Sequence, residues 1–313
     1  MKIVFVAGAR PNFIKIAPLM EAIKRRPAIE PMMVHTGQHY HETMSDLFFR
    51  QLGIPEPDVN LAKMGIKLIH VEAGLRSFDR SMPEEINRIL TDSISDLLFC
   101  SEQSGVDNLR REGIPETKIH FVGNVMIDTL LRHQEKAEAS NILPELGVRS
   151  GTYAVVTLHR PSNVDNAAVL SRIFSALGEI GRDMPVVFPI HPRTRQRLAA
   201  AGVEGNHSPI KLIDPLGYLD FLKLMSSARL VLTDSGGIQE ETTILKVPCL
   251  TLRENTERPS TVEMGCNRLV GTEPNRILAA YQEIRNGGQR PAKTPPLWDG
   301  HAAERIVNVI NSL

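Results

Sequence analysis

Hydrophobic residues along this chain fall into short continuous runs, separated by longer stretches in which apolar positions recur every three or four residues. The runs are what strands covered on both faces need, and the recurring pattern is that of a helix with one apolar face. In the first half, strands are expected at 2–7, 31–36, 67–71, 96–100 and 119–122, with helices at 13–25, 41–52, 83–95 and 103–112. Pro11 and Pro83 stand near helix starts, and Gly53 and Gly113 lie just past helix ends, positions their backbones favour. The second half repeats the alternation, with strands at 153–158, 185–190, 210–213, 230–233, 248–252 and 268–270; PAKTPPLWDG then leads into a last helix, 301–313. Strand and helix alternating from end to end imply βαβ units and parallel sheets.

Length adds a division. The 313 residues correspond to about two domains of ~150 residues each. The polar stretch 134–150 has no strand of its own and is the expected connection. It separates a Rossmann-like domain over 1–140 from a second over 141–313, whose last helix can pack back on the first. A ligand is expected in the cleft between two such domains. One seam breaks the pattern: IPEPDVNLAKMGIK runs from Gly53 straight into the strand at 67, with no crossover helix, which normally takes ~10 to 12 residues. A segment is missing between Asn60 and Gly65.

Charge narrows the class of partner. Lys plus Arg equals Asp plus Glu at 36 each, without a basic run, so nucleic acid is not an expected partner. No apolar run approaches the ~18 residues of a membrane span, and MKIVFVAGARP is too short to be a signal peptide. A cytoplasmic protein without membrane contact is expected. Cys100, Cys249 and Cys266 lie far apart, each beside apolar residues, and are expected to be reduced and structural.

Several strand ends carry residues suited to chemistry. VLTDSGGIQEE (231–241) is a strand, a Ser-Gly-Gly turn and a helix start; glycines let backbone amides approach a phosphate, and the first helical turn supplies unpaired N–H groups. Ser235, Gly236 and Gly237 are thus a candidate diphosphate cradle, and Glu241 one turn on can accept from ribose hydroxyls. LRENTERPSTVEMG places Arg253, Glu254, Glu257 and Arg258 after the next strand, where ligand loops of open α/β sheets lie and an arginine fork can neutralise phosphate. VAGARPNFIK has a single glycine and no GxGxxG, which disfavours a dinucleotide redox enzyme. Arg10 and Lys15 stand at the helix start in that stretch, a place that disfavours cations unless an anion is present. His159 and Arg160 in VVTLHRPSNVDN mirror Arg10 at the first strand of the second domain. The histidine can touch phosphate or move a proton. His39 and His41 in TGQHYHETM are weak metal candidates, since no third ligand cluster stands nearby. They are expected in a polar loop at a strand end.

HVEAGLRSFDRSMPEEINR (70–88) gathers acids and arginines just beyond a strand. Glu72 is expected to be partly desolvated there, with its pKa raised toward a useful acid or base value. Glu84 and Arg88 stand four apart on one helix face, and Ser81 with Glu84 fits a capping box.

In this order, GARPNFIK, TGQHY, HVEAGLRS, PEEINR, TLHR, TDSGGIQEE and TERP span nearly the whole chain and resemble the non-hydrolysing UDP-N-acetylglucosamine 2-epimerase family. The resemblance implies two Rossmann-like domains in a GT-B-like arrangement, with the active site in the interdomain cleft. It also implies a homodimer, a UDP-sugar substrate, and interconversion of UDP-GlcNAc and UDP-ManNAc through 2-acetamidoglucal with no redox cofactor. By motif match, Glu72 and Glu84 resemble the catalytic carboxylates, with Arg88 organising them and His159 assisting UDP departure. Arg10, Lys15, Ser235, Gly236, Gly237, Glu241 and Arg258 resemble nucleotide-sugar contacts, and Phe221 in GYLDFLKL resembles a residue beside uracil. At the seam between Asn60 and Gly65 the family carries a helix, a strand ending in a GDTNS-like motif and a further helix, and the catalytic aspartate of that motif has no counterpart here. TGQHY is also similar to relatives acting on UDP-2,3-diacetamido-glucuronic acid. That sugar, a GT-B glycosyltransferase and an inactive nucleotide-sugar-binding relative are the alternative readings.

Overall fold

The computed structural model describes residues 2–7, 10–24, 30–35, 68–80, 82–200, 209–288 and 292–312. It divides into two compact units, Met1–His133 with Pro295–Leu313, and Gln134–Thr294.

In the first unit, β1 (Lys2–Ala7) leads into α1 (Arg10–Lys24) and pairs in parallel with β2 (Glu30–His35). α1 starts three residues earlier than the apolar pattern suggests, because Pro11 fits a first helical turn, where its missing N–H is not used. The expected helix at 41–52 and the seam at 60–65 lie outside the described residues. A second sheet follows, β3 (Ile69–Val71), β4 (Leu97–Cys100) and β5 (Ile119–Phe121), all parallel and in that order. Between β3 and β4 runs α2 (Pro83–Ile94), and between β4 and β5 runs α3 (Gln103–Arg111). Ala73, Leu98, Cys100, Val106, Leu109 and Ile119 form the core beside this sheet. Among the described residues no ladder joins β1 to β3.

The unit is closed from the far end of the chain. α13 (Ala302–Asn311) packs on α1, and the buried Asp128 on α4 (Val125–Glu138) accepts from the amides of Ala302 and Ala303 at 3.2 and 2.7 Å. A carboxylate at a helix start satisfies donors that have no partner within the helix. Trp298, fully buried, donates to the Ser101 carbonyl at 2.8 Å.

The second unit has one continuous parallel sheet in the order β11-β10-β9-β6-β7-β8. Its strands are β6 (Ala154–Thr157), β7 (Val186–Pro189), β8 (Ile210–Ile213), β9 (Leu230–Thr233), β10 (Cys249–Thr251) and β11 (Asn267–Leu269). β6, β9 and β10 are almost wholly buried, as the continuous apolar runs require of strands covered on both faces. α7 (Ala167–Asp183) and α12 (Pro274–Arg285) pack together over one face, closing a core around Leu170, Ile173, Leu177, Ile277 and Tyr281. The strand order reverses between β6 and β9, and the crevice outside such a switch point is where open α/β sheets hold ligands. Cys100 and Cys249 are buried, Cys266 is half-buried, and all three are free thiols. No helix among the described residues is long and apolar enough to cross a membrane.

Candidate active site

In the second unit the loops after β6 and β9 meet because their strands are neighbours. Thr157 and Thr233 join hydroxyls at 2.7 Å, and Asp234 follows directly, wholly buried. Its carboxylate receives the amides of His159 and Arg160 at 3.0 to 3.1 Å and the Asn163 side chain at 3.2 Å. His159 Nδ1 lies 2.9 Å from the same group. Burial opposes ionisation here, but the His159 hydrogen bond and charge and the two amides outweigh it, so the Asp234 carboxyl sits below the usual range. The imidazole itself is 58% exposed. With Nδ1 held, Nε2 is the ring atom turned to whatever arrives.

Ser235 caps α10 (Gly236–Leu245), with its amide donating to the Thr233 hydroxyl at 2.9 Å. The Ser-Gly-Gly turn is half-buried and so reachable by a ligand, while Gln239, Glu240 and Glu241 behind it are buried. Gly236 is tightly seated: a Cβ there would lie 3.0 Å from Glu257 Oε1 and 3.5 Å from the Arg258 guanidinium carbon. Beneath the turn, Glu257 takes Arg253 at 2.7 Å and Arg160 at 3.1 Å, and Arg258 stands 2.8 Å from Glu240. Burial alone would raise the Glu257 carboxyl, but Arg258, Arg253 and Arg160 hold it far below the ordinary range. Arg160, Arg253 and Arg258 gather with Glu257 and Glu240 beside a helix start, which sets guanidinium groups next to the amides an anion would meet. On α9 (Tyr218–Ser226), the Tyr218 hydroxyl donates to Glu241 at 3.4 Å and Phe221 is half-buried. Glu254 is exposed and pairs with Arg276 at 2.9 Å, away from this cluster.

In the first unit Glu72 directly follows β3 in a left-handed conformation, φ 75°, sparsely populated by residues with a side chain. Its amide and that of Ala73 both donate to the Phe99 carbonyl, at 2.9 and 3.0 Å. Its carboxylate is mostly buried yet meets the Lys15 ammonium from α1. Glu72 is thus desolvated, as expected of it, and faces a cation. Arg10 is the first residue of α1, and His39 and His41 lie outside the described residues. Among the described residues no three His, Cys, Asp or Glu side chains converge as a metal would require.

α2 departs from the sequence expectation. Met82 stands at its N-cap without a side-chain bond; Ser81, the expected capping-box partner of Glu84, lies outside the described residues. Arg88 pairs at 2.9 Å with Glu85, three residues away, instead of Glu84, which is exposed. Glu85 is buried and accepts from the Ser77 amide and hydroxyl and the Phe78 amide at 2.9 to 3.1 Å. Burial would raise its carboxyl, but the Ser77 amide, Arg88 and the Phe78 amide hold it low. Two turns on, buried Asp92 faces His70, Gly74 and Arg76. Sequence reasoning missed Asp234, Glu85 and Asp92, although each carries a signal: an acid directly after a buried strand, and two acids seven apart on a helix whose apolar Leu90 and Ile94 point outward.

Comparison with known proteins converges on one group. The profile of the family described as "UDP-N-acetylglucosamine 2-epimerase" matches residues 21–64 and 61–311. The chain is 40% identical over 364 aligned residues to the UDP-N-acetylglucosamine 2-epimerase of Methanocaldococcus jannaschii, covering 99% of each chain. It is 38% identical over 368 residues to the UDP-2,3-diacetamido-2,3-dideoxy-D-glucuronate 2-epimerase of Pseudomonas aeruginosa, covering 100% of each. It is similar in structure to the Methanocaldococcus jannaschii UDP-GlcNAc 2-epimerase crystallised with UDP-GlcNAc and UDP, with a TM-score of 0.92 at 39% identity over 100% of both chains. An alignment of 364 positions against 313 residues leaves at least 51 (364 less 313) that this chain does not fill, and the profile match breaks at 61–64, at the seam. The two-domain parallel α/β fold, the switch-point cluster and the Glu72 turn, together with a profile match over most of its length, establish that the chain belongs to the UDP-N-acetylglucosamine 2-epimerase family.

Proposed function

We propose that this enzyme interconverts UDP-GlcNAc and UDP-ManNAc by eliminating UDP to give 2-acetamidoglucal and adding UDP back. The sugar C2 proton is not beside a carbonyl, so its removal has to be coupled to loss of the diphosphate at C1. A carboxylate takes the C2 proton as the C1–O bond breaks and the C1=C2 bond forms; reversal with the proton delivered to the other face inverts C2. Glu72 and Glu84 are our candidates for the two carboxylates, with Arg88 organising them. The departing diphosphate is held by Arg10, Lys15, Ser235, Gly236, Gly237 and Arg258, and His159 Nε2 assists its departure. Glu241 serves the ribose and Phe221 the uracil.

The observation that carries this reading is Glu72, kept in a left-handed conformation at a strand end beside a lysine; structural roles rarely justify such backbone. We also propose a cytoplasmic homodimer. The exposed Phe78, Leu90 and Ile94, at 74%, 58% and 70%, supply the apolar surface such a dimer would cover. Incubation with UDP-GlcNAc in deuterated water tests the reaction: deuterium at C2 of both sugars is expected. UDP release only with an acceptor, or binding without exchange, would overturn it. The Pseudomonas aeruginosa relative makes UDP-2,3-diacetamido-glucuronate the competing substrate, and the faster exchange decides between the two sugars.

A further inference from the structure

We infer that Asp92 is a positioning residue that fixes the turn aiming the Glu72 carboxylate, an inference that rests on Glu72 being an acid/base group of the reaction. Asp92 lies on α2, buried on a helix whose Leu90 and Ile94 face outward, so burying its charge needs a reason other than the helix itself. Its partners bracket Glu72 on both sides. His70 Nδ1, two residues before, stands 2.6 Å from Oδ1; the Gly74 amide, two residues after, donates to Oδ2 at 3.1 Å; Arg76, four after, lies 2.7 Å from Oδ2.

The turn between these partners is the unusual part. Glu72 at φ 75° and Gly74 at φ 78° are both left-handed, a conformation that persists at a non-glycine residue only when its surroundings over-determine it. Apolar packing holds the middle of the turn, with Ala73 wholly buried. Close backbone approach holds its end, since a Cβ on Gly74 would fall 2.2 Å from the Gly105 carbonyl oxygen. Asn108 donates to the Gly74 carbonyl at 2.9 Å, and Glu112 grips Arg76 with two hydrogen bonds at 2.8 and 2.6 Å. Among these, Asp92 is the group that ties the strand before Glu72 to the loop after it. An isosteric amide replaces it only in part: its oxygen can face the Gly74 amide and Arg76, which share Oδ2, but its NH2 then meets His70 Nδ1, which cannot keep a proton there, and buried Arg76 loses the charge it pairs with. The turn then relaxes and the Glu72 carboxylate loses its aim, although Glu72 itself is intact.

Four forms of the full chain decide the matter: wild type, Asp92→Asn, Glu72→Asp and the double variant. Each is followed by C2 deuterium incorporation from UDP-GlcNAc, UDP affinity and amide exchange over residues 71–75. Asp92→Asn should lower kcat roughly 100-fold, the scale of a misplaced reacting group, with KM and UDP affinity within about twofold. In the Glu72→Asp background the same change should add little, because both act through one carboxylate. Equal losses in the two backgrounds, or a KM that rises with kcat unchanged, would overturn the inference. If the wild type shows no C2 exchange, the epimerase reading fails separately. Amide exchange then decides alone: faster exchange at 71–75 in Asp92→Asn supports the clamp, and unchanged exchange refutes it.

Discussion

The two units hold their functional loops by opposite means. In the second, the loops after β6 and β9 lie on adjacent strands of a continuous six-stranded sheet, so His159 and Asp234 are brought together by backbone hydrogen bonding, and one buried acid secures the meeting. In the first, no described ladder joins β1 to β3, and the 70–78 loop is held by side chains: Asp92 and Glu85 reach out of α2 to its amides, and Lys15 comes over from α1. In the second unit many ladder bonds carry the loops, and in the first a few charged contacts hold the described 70–78 loop. Each loop system should therefore be most sensitive at its buried acids, Asp234 in the second unit and Glu85 and Asp92 in the first.

The sharpest way to break this comparison is Glu72→Gln. Turnover measured by C2 deuterium exchange should fall about 1000-fold, within the range lost with a general base, while UDP affinity by calorimetry stays within about twofold. Loss of UDP binding would show the two sites to be one. Next in size is Asp234→Ala, which strands the amides of His159 and Arg160. We expect UDP affinity to fall on the order of 100-fold, and urea unfolding to show a loss of about 3 kcal/mol.

A smaller effect separates the neighbouring acids of α2. Glu85→Gln removes the acceptor of three donors and should cost about 1–3 kcal/mol of stability, whereas exposed Glu84→Gln should stay within about 0.5 kcal/mol and still slow turnover. Equal stability losses would mean the loop does not depend on Glu85. The smallest effect is on pH. The folded carboxyls of Asp234 and Glu257 lie below the ordinary range, so in acid the unfolded chain takes up protons first. The stability they contribute is complete above about pH 5 and is lost progressively as pH falls through about 4 toward their depressed values. Urea titrations at descending pH should show this decline, and Asp234→Asn should flatten it; stability rising on acidification would contradict it.

Much of the candidate site was legible in the chain because it lies at strand ends, where sequence order fixes the neighbours. Ser235, Gly236, Gly237, His159 and Arg258 could be placed from a strand, a turn and a helix start alone. The partners of α2 could not. Spacing alone pairs Arg88 with Glu84, four residues before it on the same helix face. Instead the helix buries Glu85 and Asp92, because the loop before it offers amides that need acceptors, a demand visible only once the loop is folded against it.

By itself, the sequence determined the alternation of buried strands and amphipathic helices, the two parallel α/β domains, the glycine turn after β9 and the break near residue 60. Those are consequences of local period and backbone preference, which neighbouring residues settle among themselves. Tertiary structure alone decided which acids are buried, that Lys15 meets Glu72 and that Asp92 brackets it. A charge enters the interior only where distant segments supply its hydrogen bonds, and no local pattern specifies those segments.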